Sequence, residues 1–174
     1  MRNWFKKGGL TSYERSIVDN VDKHGCFITA VFDPDGDPLS SFAYSIGFAK
    51  TAEKAGVKPL PEVILFGLPN NVYAPAINEL LQIGIGGFPM VDGAKVEKFL
   101  GEFDCVFRAV HESWLTEEYL NSAMWYHRTQ MNRKLEDVMM VVWPDASHRF
   151  PWDNGCDEWV RSAQPALYQP RILN

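Results

Sequence analysis

Apolar positions along the chain come in two rhythms. Dense runs at Cys26–Phe32, Val63–Phe66, Phe103–Val110 and Val138–Trp143 are rich in β-branched and bulky residues, and they predict strands. Val63-Ile64-Leu65-Phe66 has no polar alternation, which fits a strand covered on both faces. Prolines fence it: Pro61-Glu62 leads in, and Gly67-Leu68-Pro69 ends it before Asn70 and Asn71, which offer caps to a following helix. Ser41–Phe48 follows another pattern. Phe42, Tyr44, Ile46 and Phe48 alternate with Ala43, Ser45 and Gly47, so one face is bulky and the other nearly bare. A bare face suggests close approach by another layer or by a ligand. Just before this strand, Asp33-Pro34-Asp35-Gly36-Asp37-Pro38 is a strong reversal signal, and it predicts a β-hairpin.

The second rhythm is helical. Ile17, Val18 and Val21 predict a helix over 13–23, capped by Thr11 or Ser12 and stopped by His24-Gly25. Val72, Ala76, Ile77, Leu80 and Leu81 predict another over 71–83, with Pro75 near its first turns and Gly84, Gly86 and Gly87 at its exit. A third is expected over 117–129, with Thr116 as its cap and Glu117 and Glu118 favourably placed against the dipole. Residues 49–60 read as a surface connection, 91–101 as a short helix or strand, and 144–155 as a proline- and aromatic-rich tail. The expected architecture is α+β: a mainly antiparallel sheet with two or three helices packed on it. It forms a single domain over 11–174, behind a flexible N-terminal arm over 1–10.

Composition narrows the function classes. Net charge is −5 at pH 7, with no run of lysine or arginine, which argues against duplex nucleic acid as a partner. Three cysteines without a CxxC pair fit a reducing compartment better than a disulfide framework. Without a signal-peptide pattern or a membrane-length apolar window, the expected location is cytoplasmic and the expected partners exclude the membrane. The six tryptophans, eleven phenylalanines and six tyrosines serve a core first, and a pocket or partner surface second.

Candidate chemistry is scattered. His24, His111, His127 and His148 lack the close pairing of metal ligands, and no metal site is expected. Ser45 lacks a nucleophile elbow, and the cysteines read as buried thiols. His24, Glu62 and Asp145 are the acid–base candidates, being polar groups at element ends or beside aromatic residues. Asp145 to Trp152 gathers a carboxylate, an imidazole, a guanidinium and two rings. Phe150 and Trp152 could hold a planar ligand between them while His148 or Arg149 reads its charge, or they could plug the end of the sheet. Tyr44, Ser45, Gly47, Gly67 and Trp143 complete the candidate ligand-binding set, because they fall at strand ends near the same rim.

These landmarks resemble a bacterial family catalogued as domain of unknown function 4262. The likeness rests on His24-Gly25, on the Asp-Gly turn into Phe42–Phe48, and on Pro61-Glu62 with Phe66-Gly67-Leu68-Pro69. It closes on Val142-Trp143-Pro144-Asp145 with Phe150-Pro151-Trp152. Members often carry His-Pro-Glu-Leu where this chain has Leu60-Pro61-Glu62-Val63; a general base at that histidine would be missing here. The resemblance implies a fold and framework positions, and no activity or cofactor. The favoured expectation is a binding module for a small planar ligand or a protein partner. The alternative is a small hydrolase or transferase using His and carboxylate groups, and a flavin-binding barrel is a weaker third reading.

Overall fold

The computed structural model describes residues 9–173 except Pro38 and Ser40. Apart from Gly9 and Leu10, the expected N-terminal arm lies outside the described residues. The apolar runs become β1 (Phe27–Val31), β2 (Phe42–Ile46), β3 (Glu62–Phe66), β4 (Lys95–Leu100), β5 (Phe103–Ala109) and β6 (Val138–Val142). They form one sheet in the order β1-β2-β3-β6-β5-β4. Every pairing is antiparallel except β3 with β6, where Glu62, Val63 and Ile64 lie beside Val138, Met139 and Met140. The hairpin forms as its turn residues require, with β1 and β2 in unbroken register from Phe27↔Ile46 to Val31↔Phe42.

The helices are α1 (Ser12–His24), α2 (Phe48–Ala55), α3 (Asn70–Ile85), α4 (Glu117–Gln130) and α5 (Glu158–Ala163). They cover both faces of the sheet, which explains why the central strands carry no polar alternation. Along β3, Ile64 and Phe66 join a core with Ile17 and Val21 of α1 and with Leu120 and Ala123 of α4. Val63 and Leu65 point the other way, into a core with Phe48 and Ala52 of α2 and with Tyr73, Ile77 and Leu80 of α3. Ile64 and Leu65 are wholly buried, so truncating either to alanine costs about 2–5 kcal/mol. No helix among the described residues is long and apolar enough to cross a membrane.

The fold is α+β as expected, with five helices among the described residues where two or three were predicted. Residues 49–60 are no mere connection, since most of α2 lies there. Phe48, Ala49 and Ala52 bury one side of it, and β2 therefore ends at Ile46 rather than Phe48. The ambiguous segment 91–101 yields β4, and the short α5 follows the tail. Two caps also differ. Pro69, not an asparagine, precedes α3, and no side chain caps it. Thr116 occupies the N-cap of α4 without a capping bond, its hydroxyl buried and unpaired. Thr11, by contrast, forms a full capping box with Glu14.

Candidate functional site

The parallel pair β3–β6 has two ends, and each gathers polar groups around one buried carboxylate. At the first, Gly47 adopts a left-handed backbone (φ 105°) that turns the chain from β2 into α2. The helix N-terminus exposes unpaired N–H groups there, and Glu62 accepts from Gly47 N at 2.8 Å and Phe48 N at 3.4 Å. Ser45 Oγ donates to the same carboxylate at 2.5 Å and accepts from Val63 N at 2.9 Å. His127 Nε2, on α4, donates to Glu62 Oε1 at 3.1 Å. The Glu62 side chain has no exposed surface, and His127 keeps 7%.

This clustering leaves its neighbours inert as nucleophiles. Burial, reinforced by Glu62, pushes the Cys26 thiol up to about 11, away from the thiolate that reactivity needs. Burial, then Asp22, Glu62 and Glu53, pushes the Tyr126 hydroxyl up to about 12. Asp137 is raised by burial and by Glu62. The bare side of β2 is explained here by a layer rather than a ligand. Ala43 joins the core formed there with Phe48 and Ala52 of α2 and Tyr73 and Ile77 of α3, while α1 packs on the bulky face, where a Cβ on Gly47 would lie 2.6 Å from Cγ1 of Val21.

At the second end, Trp143 Nε1 donates to Phe66 O at 2.8 Å, and Gln164 bonds both the N–H and the C=O of Trp143. Gly67 is left-handed (φ 69°), and a Cβ there would meet Ala163 of α5 at 2.7 Å. Its N–H already donates to Ser41 O. Asp145 accepts from the N–H groups of Ser147 at 2.8 Å, Arg149 at 2.9 Å and Asp157 at 3.0 Å, and from Arg149 Nε at 3.2 Å. These bonds, the Arg149 N–H foremost, hold its carboxyl below the usual range.

The three acid–base candidates do not converge. His24 is exposed at the end of α1. Glu62 sits beside Val138, and Asp145 lies seven residues further along, on the order of 20 Å away at strand rise. Phe150 and Trp152 stack directly on each other, with centroids 5.1 Å apart and planes within 6°. The two rings are in contact with each other, and Trp152 stays 41% exposed. Trp152 also meets Tyr168 edge-on, and the Arg108 guanidinium lies over both rings at 4.9 and 4.3 Å. His148 faces the Phe103 ring at 5.0 Å. Tyr44 is buried, its hydroxyl accepting from Ser122 N. No group of three or more His, Cys, Asp or Glu among the described residues is placed to hold a metal ion.

One cleft does open beside the carboxyl end of β3, the side of a parallel pair where ligands tend to sit. It measures ≈ 400 Å³ and is lined by Leu39, Phe42, Phe66, Glu118, Tyr119, Ser162 and Pro165. Phe42, Phe66 and Tyr119 form a triangle of rings with centroids 5.3, 5.4 and 5.6 Å apart. Burial and then Glu118 raise the Tyr119 hydroxyl, which therefore stays protonated and able to donate. Glu118 itself is held by Arg171 at 2.9 Å. A second cleft of ≈ 420 Å³ between α3 and the β4–β5 turn is mostly apolar, with Asn71 and Glu79 its polar side chains.

Sequence reasoning did not single out Glu118, Tyr119 and Ser162 for this cleft, because a position on a helix carries no sign of what lies across the fold. It also missed His127 as the partner of Glu62. Its only trace is a histidine at helical spacing from Leu120 and Ala123, on the buried stripe of α4. Leu60, where the resemblance sets a histidine, is buried against Gly84 instead. The imidazole beside Glu62 comes from a distant helix.

No curated protein and no solved structure matches the chain. The model of one family, described as a domain of unknown function (DUF4262), matches residues 20–157 and so takes in both buried carboxylates. Spanning well over half of the sequence, that match means the chain belongs to the DUF4262 family.

Proposed function

We propose that this protein is a binding module whose ligand is a small planar molecule with an apolar body and a cationic or hydrogen-bond-donating edge. The ring triangle of Phe42, Phe66 and Tyr119 carries the reading. It supplies an aromatic wall, while Glu118 and Ser162 supply acceptors at the same cleft. The cleft's ≈ 400 Å³ lies within the range usual for small-molecule sites. The acid–base alternative has less behind it, because its carboxylates sit at opposite ends of a strand pair.

Titration calorimetry against nucleobases, flavins and aromatic amines tests the proposal. A ligand should bind, Tyr119→Ala should weaken it at least about tenfold, and Glu118→Gln should weaken cationic ligands selectively. Silence across all three classes, or binding indifferent to both substitutions, would refute it.

A further inference from the structure

The two edges of the sheet are built differently. β4 is defended: it carries Lys95, Glu97 and Lys98, its register against β5 shifts between Val96 and Leu100, and Lys98 sits at φ 49°. Charge and irregularity of this kind keep edge strands from pairing with other chains. β1 has none of these devices. Phe27-Ile28-Thr29-Ala30-Val31, continued by Phe32, holds no charge and no proline, and all five strand residues stay in register with β2. No strand among the described residues pairs with its outer side. The edge is also apolar at its borders. Val31 is 40% exposed and Phe32 43%. Tyr13, 48% exposed, stands against Phe27 at 5.9 Å.

We infer that β1 is a self-association edge, pairing antiparallel with β1 of a second copy of this chain about a two-fold axis normal to the sheet. Such an axis preserves the sheet faces, so directly opposed residues must share a face. Centring it on Ala30 sets Ala30 against its own symmetry mate, Thr29 against Val31 and Ile28 against Phe32 of the second copy. From Ile28 to Phe32 every opposed pair is then uncharged, Phe27 alone of the strand meets an acidic residue, Asp33 of the second copy, and the β-branched and aromatic members suit cross-strand contact. The occupant is a second copy rather than a charged peptide because nothing on this edge offers a counter-charge, and nothing on it repels itself. The two-fold closes the assembly at two chains, with the defended β4 edges outermost. This inference does not depend on the ligand cleft.

Sedimentation of the full chain, from sub-micromolar to high micromolar concentration, tests it. The wild type should show a monomer–dimer equilibrium. Ala30→Lys, which sets two like charges directly opposite, and Val31→Lys should each raise the dissociation constant at least about tenfold. Both positions are exposed, so far-UV circular dichroism should report an unchanged monomer fold. Glu97→Lys on the other edge should leave the dimer intact. A chain that stays monomeric throughout, or a dimer indifferent to both β1 substitutions, overturns the inference.

Discussion

Glu62 and Asp145 are both nearly closed off from solvent, at 0% and 3% side-chain exposure, and each accepts hydrogen bonds from backbone and side-chain donors. Their donors come from different places. Those of Glu62 belong to β2, the start of α2 and the last turn of α4, so its partners lie 14 to 65 residues away. Those of Asp145 lie 2 to 12 residues away, all within one loop. One carboxylate ties distant elements together, and the other fixes the shape of a single turn. Equal burial therefore does not mean equal reach: the first governs global stability, the second local order.

The sharpest way to break that contrast is Glu62→Ala. It strands a hydroxyl, an imidazole and two helix N–H groups in the interior, and the loss should be about 3–5 kcal/mol in urea unfolding. A change below about 1 kcal/mol would mean that those donors find other partners and that Glu62 is no tie. His127→Ala removes one donor and leaves the others, so a smaller cost of about 1–3 kcal/mol is expected by the same measurement. Asp145→Ala should act differently in kind. Amide exchange should quicken across residues 146–157 while the β3 and β6 amides keep their protection; uniform loss would erase the distinction.

Acid gives the gentlest probe. The Asp145 carboxyl is lowered in the fold, so its stabilisation is complete above the ordinary aspartate value of about 3.9 and fades as pH falls through the lower folded value. Loop exchange should rise over that acidic window, and Asp145→Ala should lack the response.

The same contrast explains what could be read from the residues alone. The hairpin and the central strand announce themselves locally, through Asp35-Gly36 and through Val63–Phe66. The Asp145 loop was visible as a polar cluster for the same reason, since its donors are neighbours in sequence. Glu62 stood out as a charge at the mouth of an apolar run, but its purpose depends on His127 and on the turn at Gly47. No local pattern joins those three. α2 was hidden likewise, because its start is set by a carboxylate from the following strand. The stacking of Phe150 on Trp152 was open to two readings, and spacing cannot say whether two rings leave a gap or close it.

The parallel pairing of β3 with β6 bears on how the chain matures as it leaves the ribosome. α3, β4, β5 and α4 all emerge between the two partners, so β3 waits with one flank unpaired until β6 has been made. A nascent chain halted before Val138 would offer Val63–Phe66 as a sticky, half-built ribbon. Late arrival of a single strand thus sets when this protein becomes safe from its own neighbours.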